Sequence, residues 1–479
     1  MARKSAVRGR PVRVEHEADH GGPEATQVVA TKPDISGLQV CIDDAREAAL
    51  DGDAGPRDPT DFSDLRGRLE AARTKFPPLY RQEFVDPFIA ELDERGSTGF
   101  AQILVQDPTR QRMAGLVMDM AHAVLQRAER FQLRALDAFQ EIVGDLYDGF
   151  LSAEDRQGVE PPDQGTTPGL IKWGNPDSGP YTWGVDATSI LGANAPVVSL
   201  PPANARMGLL AWSALPHETG GHNILHADTG LPGQLAIAVR NALGGLGAEL
   251  ADYWSSRIDE TASDVMGILN MGPAAGIGLI GYFRGLNKAF TGRAELRNNG
   301  PANDTHPADI VRGYLAAETV ALLDFSQSAA WAKIIADETD KDVQDIRLAG
   351  RRVTPQQARE SARLTAEAIA ITKVRSLEDH ALSDIQNWRD GDEKKIAAIR
   401  QALITTADLP QDTAGPIYAT HIVAAAVVEA LANADDLLVI FDRMLHLLAK
   451  EHANNPVWGP LFVRHPGNLV RHVAYLPQR

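Results

Sequence analysis

The run Pro216-His217-Glu218-Thr219-Gly220-Gly221-His222 puts two imidazoles and a carboxylate into one short segment. Such a set can hold a metal ion and activate a water bound to it. Two histidines four positions apart lie about 40° apart around an α-helix and reach one ion easily. Here they are five apart, which turns them about 140° from each other unless one residue is absorbed as a π-type bulge. Gly220 and Gly221 stand where the bulge is expected, and glycine tolerates the backbone it needs. Pro216 suits the first position of the helix, where its missing N–H costs nothing.

A third ligand is expected from a following helix. The run Ile258-Asp259-Glu260-Thr261-Ala262-Ser263-Asp264 carries two carboxylates four residues apart, which share a helical face. Glu260 is the expected third ligand, and Asp264 the acceptor for a histidine ring N–H. Two histidines and one carboxylate leave the fourth tetrahedral position to water, the stoichiometry of a catalytic Zn2+ site. Glu218, beside the first ligand, is placed to take the proton from that water. Two other arrangements stay open. His222 and His226 are four apart and could share an ion without a bulge, although Asn223 then stands where the base belongs. The histidines could also lie on a helix surface and bind nothing.

The six-residue motif and the downstream Glu260/Asp264 pair resemble the gluzincin metallopeptidases, and the Gly before the second His resembles dipeptidyl peptidase III. That resemblance implies zinc held by His217, His222 and Glu260, with Glu218 as base. The second motif departs from that family's acidic, Cys-containing pattern, and the N-terminal half looks unrelated, so release of dipeptides is not implied. The order of Asn194-to-Pro201, the two motifs and Thr305-His306-Pro307 through Arg312 is similar to the CAAX-prenyl-protease-type peptidases. This likeness implies an edge strand before the zinc helix, a catalytic His306 that stabilises the oxyanion, and Arg312 anchoring its loop through carboxylates. The opposing reading makes His306 a residue at a helix start before Pro307.

Around these motifs the chain must supply helices and a little sheet. Ala, Leu, Glu and Arg abound in the 479 residues, and aromatics make up 6%, a composition that leans to helix. The expected fold is α+β and predominantly α-helical, with a small sheet in a gluzincin-like catalytic region at 160–316. Residues 1–60 read as a disordered tail, 61–159 as an N-terminal helical region and 317–479 as a C-terminal helical region. Within the tail a short helix around Ser36–Leu50 is possible. Apolar residues from Met113 to Phe150 recur at helical spacing, with a break near Arg130. Strands are expected at 170–173, 181–185 and 196–200. From Arg206 the helices are placed at 206–215, 216–227, 232–254, 256–270, 273–289, 307–338, 355–372, 392–406, 417–432 and 435–451.

Val197, Val198 and Ser199 are expected to form an exposed edge bracketed by prolines 196, 201 and 202, to which an extended peptide pairs. Tyr282 and Tyr314 are further candidates for steadying an intermediate. His421 and His446 read as satisfied core histidines, and Trp173, Trp183 and Trp212 as packing residues.

Charge and cysteine content narrow the classes. A net charge of −17 without a downstream Lys/Arg stripe argues against a nucleic-acid partner. Cys41 is the single cysteine, so neither an internal disulfide nor a cysteine-based zinc site is open to the chain, and a reducing, cytoplasmic setting is expected. Residues 265–283 are uncharged, but Asn270, Pro273 and the glycines point to a buried core helix rather than a membrane span. The reading is zinc-dependent hydrolysis of a peptide or protein substrate. Its rivals are a non-catalytic peptide-binding or assembly protein that retains a metal, and hydrolysis of a non-peptide amide.

Overall fold

Three short strands lie at the heart of the molecule. In the computed structural model, which describes residues 33–459 apart from 108, 111, 153–155, 165, 166, 412 and 414, these are β1 (Leu170–Trp173), β2 (Tyr181–Trp183) and β3 (Val197–Leu200). They form a mixed sheet in the order β1-β3-β2, with β3 parallel to β1 and antiparallel to β2. Successive side chains on a strand point to opposite faces, and here both faces are covered. Ile171, Trp173, Val198 and Leu200 enter one hydrophobic cluster, while Leu170 and Val197 enter another. The chain in β3 therefore buries an apolar residue on each side, with Ser199 the one polar residue of the strand and buried as well. A second small sheet joins β4 (Asn299–Gly300), β5 (Arg347–Leu348) and β6 (Arg351–Arg352).

The rest is helix, as expected for a predominantly helical α+β chain. The apolar stripe from Met113 breaks close to Arg130: one helix runs Met113–Ala128 and the next Leu133–Leu151. Arg130 and Gln132 take positive φ at the break, a conformation that ends a right-handed helix. Four expected helices are shorter or divided, and of 206–215 only Leu209–Trp212 is an α-helix before the one that starts at Leu215. The 232–254 segment splits into Leu231–Ala242 and Ala248–Ser255 around Gly247 at φ 108°. The 307–338 segment splits into Asp309–Ala321 and Ser328–Asp340. The 216–227 segment keeps only Leu215–Gly220.

One expectation at the N-terminal end is corrected. Residues 1–32 lie outside the described residues, but within the segment read as a solvated tail Leu38–Leu50 is a helix with Leu38, Cys41, Ile42 and Ala45 buried. It packs on the helix Pro273–Thr291, where a Cβ on Gly285 would collide with Ala45. The sequence regions also share a core. Trp212 packs between Phe139 and Phe441, with ring centroids 6.0 and 6.1 Å away. No helix among the described residues is long and apolar enough to cross a membrane; the 265–283 stretch is cut at Gly272, whose φ is 66°.

Candidate metal centre

His217 and Glu218 sit on the helix Leu215–Gly220, with Pro216 in its first turn. The expected π-bulge does not form. The Gly221 N–H still donates to the His217 carbonyl at 3.2 Å, and then the helix stops. His222 follows in a turn, and ending the helix is what brings its ring round to His217. The two glycines serve packing rather than strain, since neither has positive φ. A Cβ on Gly221 would fall on the Ser263 side chain, and one on Gly267 would lie 3.2 Å from the His217 nitrogen. The histidine helix and the helix Ile258–Met271 approach closely because they are glycine-lined on both sides of the contact.

That close approach delivers Glu260 and Asp264. The Glu260 carboxylate stands with Oε2 at 3.4 Å from His217 Nε2 and Oε1 at 3.7 Å from His222 Nε2. One donor atom from each of His217, His222 and Glu260 lies within 4.8 Å of the others. Glu260 Oε2 is buried, and despite its nearness to His217 it has no well-aligned hydrogen bond. A buried acceptor left without a donor is costly, and a cation between the carboxylate and the two rings would satisfy it. The donor set and its convergence fit a single metal ion.

Behind the triad lies a chain of buried polar contacts. His217 Nδ1 meets Asp264 Oδ1 at 2.8 Å, which directs Nε2 toward Glu260. Arg312, on the helix Asp309–Ala321, grips the same carboxylate with two bonds, Nε to Oδ2 at 2.8 Å and Nη2 to Oδ1 at 2.7 Å. Its guanidinium also stacks over the Phe283 ring at 4.5 Å. Burial would push the His217 pKa down, but its bond to Asp264 and the nearby Glu260 carboxylate prevail and carry it up to about 10. Burial likewise works to raise Glu260, and the charges of His217, Arg312 and His306 hold it well below the usual carboxylate range. Burial lowers His222.

Glu218 is buried beside the rings, and its carboxylate accepts a 3.0 Å hydrogen bond from Thr182 Oγ1 on β2. His306 is exposed, but it leans over the centre with Nε2 3.4 Å from Glu260 Oε1 and Nδ1 3.3 Å from Asp304 Oδ1. It lies in the loop before the helix that begins at Asp309, not at the helix start itself. Comparison with known proteins finds no matching family model, no similar curated protein and no similar solved structure. The site must be read from its own geometry.

That geometry separates His222 from His226. His226 turns outward and pairs with Asp259 at 3.4 Å, so His222 and not His226 joins Glu260. The expectation for Val197, Val198 and Ser199 is overturned. These residues form the middle strand of the sheet, all buried, and offer no free edge to a peptide. The strand near the centre with an open side is β2, half-buried and paired only with β3 among the described residues. Tyr314 is also corrected, because its hydroxyl donates to Asp340 at 2.8 Å. Tyr282 is buried and close enough to Glu218 for that charge to help raise its pKa, after burial itself.

Trp173 and Trp212 pack in the core as expected, and His421 is buried with Nε2 3.0 Å from Asp392 Oδ1. His446 is exposed instead. Three residues of the neighbourhood escaped the sequence reading: Thr182, Asp119 and Lys172. Asp119 accepts from Tyr181 Oη, Trp183 Nε1 and Lys172 Nζ at 2.8, 2.7 and 2.6 Å. The available signal was the aromatic–Thr–aromatic alternation of Tyr181-Thr182-Trp183, which puts the threonine opposite its neighbours.

Proposed function

We propose that this protein is a metal-dependent peptidase of the gluzincin type, with zinc held by His217, His222 and Glu260. The observation that carries the reading is the convergence of those donor atoms with a further carboxylate, Glu218, buried alongside and taking no part in the triad. A purely structural site has no use for that extra carboxylate. Zinc, when bound, supplies Lewis acidity to a carbonyl and to a water.

The chain's own residues do the rest. Asp264 fixes the ring and tautomer of His217, and Arg312 fixes Asp264. Glu218 accepts a proton from the attacking water and passes it to the leaving amine. His306, anchored to Asp304 by both its backbone N–H and its ring, is placed at the open side to donate to a developing oxyanion. An extended peptide is best received along the open side of Tyr181–Trp183, where main-chain pairing gives affinity with little demand on sequence.

The deciding experiment is incubation of the zinc-loaded protein with a mixed peptide library, with new termini read by mass spectrometry. New termini from wild type and none from Glu218→Gln support the reading. If wild type binds zinc yet produces no new termini, a non-catalytic metal protein takes its place.

A further inference from the structure

Thr182 stands where a strand and the histidine helix meet, and it is the one side chain among the described residues whose hydrogen bond reaches the Glu218 carboxylate. Its Oγ1 lies 3.0 Å from Glu218 Oε2 and 3.3 Å from the Glu218 carbonyl oxygen. The helix that carries Glu218 spans six residues, from Leu215 to Gly220. A glutamate on so short an element, near its end, has little of its own to fix its rotamer, and loss of one rotatable side chain's freedom needs a partner. Thr182 is that partner.

The strand is itself held in place. β2 is an edge strand of three residues, the kind of element that frays unless it is anchored. Alternation sends Tyr181 and Trp183 to the face opposite Thr182, and there both donate to Asp119 on the helix Met113–Ala128. Asp119 is in turn paired with Lys172 of β1, which is 2% exposed and also donates to the Tyr181 hydroxyl at 2.8 Å. A buried charge with its partners in place is costly to disturb, because any shift strands an ion. The Asp119–Lys172 pair thus clamps the two aromatic residues, and the clamp sets where Thr182 points.

We propose that Thr182 is a positioning residue that holds the Glu218 carboxylate beside the metal centre, with the Asp119 cluster as its footing. The assignment rests on the hydrolytic reading for its purpose, but the hydrogen bond can be tested without it. A plain capping role is the opposing explanation, since the Glu218 carbonyl is among the last four of its helix and lacks an intrahelical partner.

The test compares wild type, Thr182→Val and Thr182→Ser. Valine keeps the shape and the β-branching of the strand residue and removes only the hydroxyl. Crystal structures should show the Glu218 carboxylate displaced in Thr182→Val and restored in Thr182→Ser, with zinc content by elemental analysis equal in all three. On the best-cleaved peptide from a quenched-fluorescent library, Thr182→Val should lose kcat by about tenfold or more with KM within about twofold, and Thr182→Ser should recover most of it. If Thr182→Val melts lower but leaves the Glu218 carboxylate where it was, the hydroxyl only caps the helix and the proposal is overturned. Unchanged kcat in an active enzyme overturns it too. If wild type cleaves nothing, the peptidase reading falls, and the Glu218 conformer in Thr182→Val still decides the role of Thr182.

Discussion

Arg312 and Asp264 form a two-bond ion pair in the interior, at 2.7 and 2.8 Å, with the aspartate side chain wholly shielded from water. Asp264 Oδ1, which accepts from Arg312 Nη2, also meets His217 Nδ1, so one carboxylate joins the helix Asp309–Ala321 to the candidate ligand on the histidine helix. Removing one partner of a buried pair costs roughly 3–5 kcal/mol. Arg312→Met should therefore lower stability by about that much and also weaken zinc binding. Asp264→Asn should reduce zinc affinity by about 10–100-fold through poorer orientation of His217. Chemical denaturation and chelator competition measure the two effects separately, and unchanged zinc affinity in both variants would remove the linkage argued here.

The ligand set makes a sharper demand. If the proposed site is right, His217→Ala, His222→Ala and Glu260→Ala should each lose bound zinc in elemental analysis, because each takes one of the three candidate donors among the described residues. His226→Ala should retain it, since His226 faces Asp259. Full zinc in His222→Ala would break the assignment.

Glu218→Gln should keep fold and zinc and lose hydrolysis, as an amide cannot accept the proton of the attacking water. The check is a cleavage assay against the peptide library beside a thermal melt and a metal determination. Near wild-type turnover would leave Glu218 without a role as base.

Gly221→Ala should be strongly destabilising, because its Cβ has no room against Ser263. Overpacking costs roughly 1–3 kcal/mol, and here the strain falls on the contact that brings Glu260 to the histidines. Paired Gly221→Ala, Ser263→Gly protein should recover only part of the loss, because the Ser263 Cα itself would still lie 2.5 Å from the new Cβ. A fully stable Gly221→Ala single variant would show that the helices can part without consequence.

Cys41 is buried on the helix Leu38–Leu50, and burial, helped by the charge of Asp44, pushes its thiol from 9.0 up to about 12. The folded protein should therefore resist a thiol reagent at pH 8 and react after unfolding. The sign for stability follows from proton counting. Between about 9 and 12 the folded state holds the proton that the unfolded state has lost, so stability present below pH 9 declines as pH rises through that window. Cys41→Ala should lack this part of the alkaline loss in pH-dependent melts.

The sequence by itself determined the candidate ligand residues and much of the helical scaffold. His217, Glu218, His222 and the Glu260/Asp264 pair were legible because ligand type and helical spacing are local properties, and the break near Arg130 and the three strands were legible for the same reason. Tertiary structure decided what local pattern cannot carry. The glycines of the histidine motif read as sites of backbone strain, yet their reason is the neighbouring helix, which no spacing within the motif reveals. Val197 to Leu200 reads equally well as an edge or as a middle strand, and only the arrival of β1 on one side and β2 on the other places it in the middle. The adjacent apolar pair Val197 and Val198, which must point to opposite faces, was the hint that both faces are covered. Thr182 lies 36 residues before Glu218 in the chain and bears no motif. It reaches the carboxylate because sheet pairing fixes which way an edge strand turns its side chains, and that is settled by contacts between distant segments.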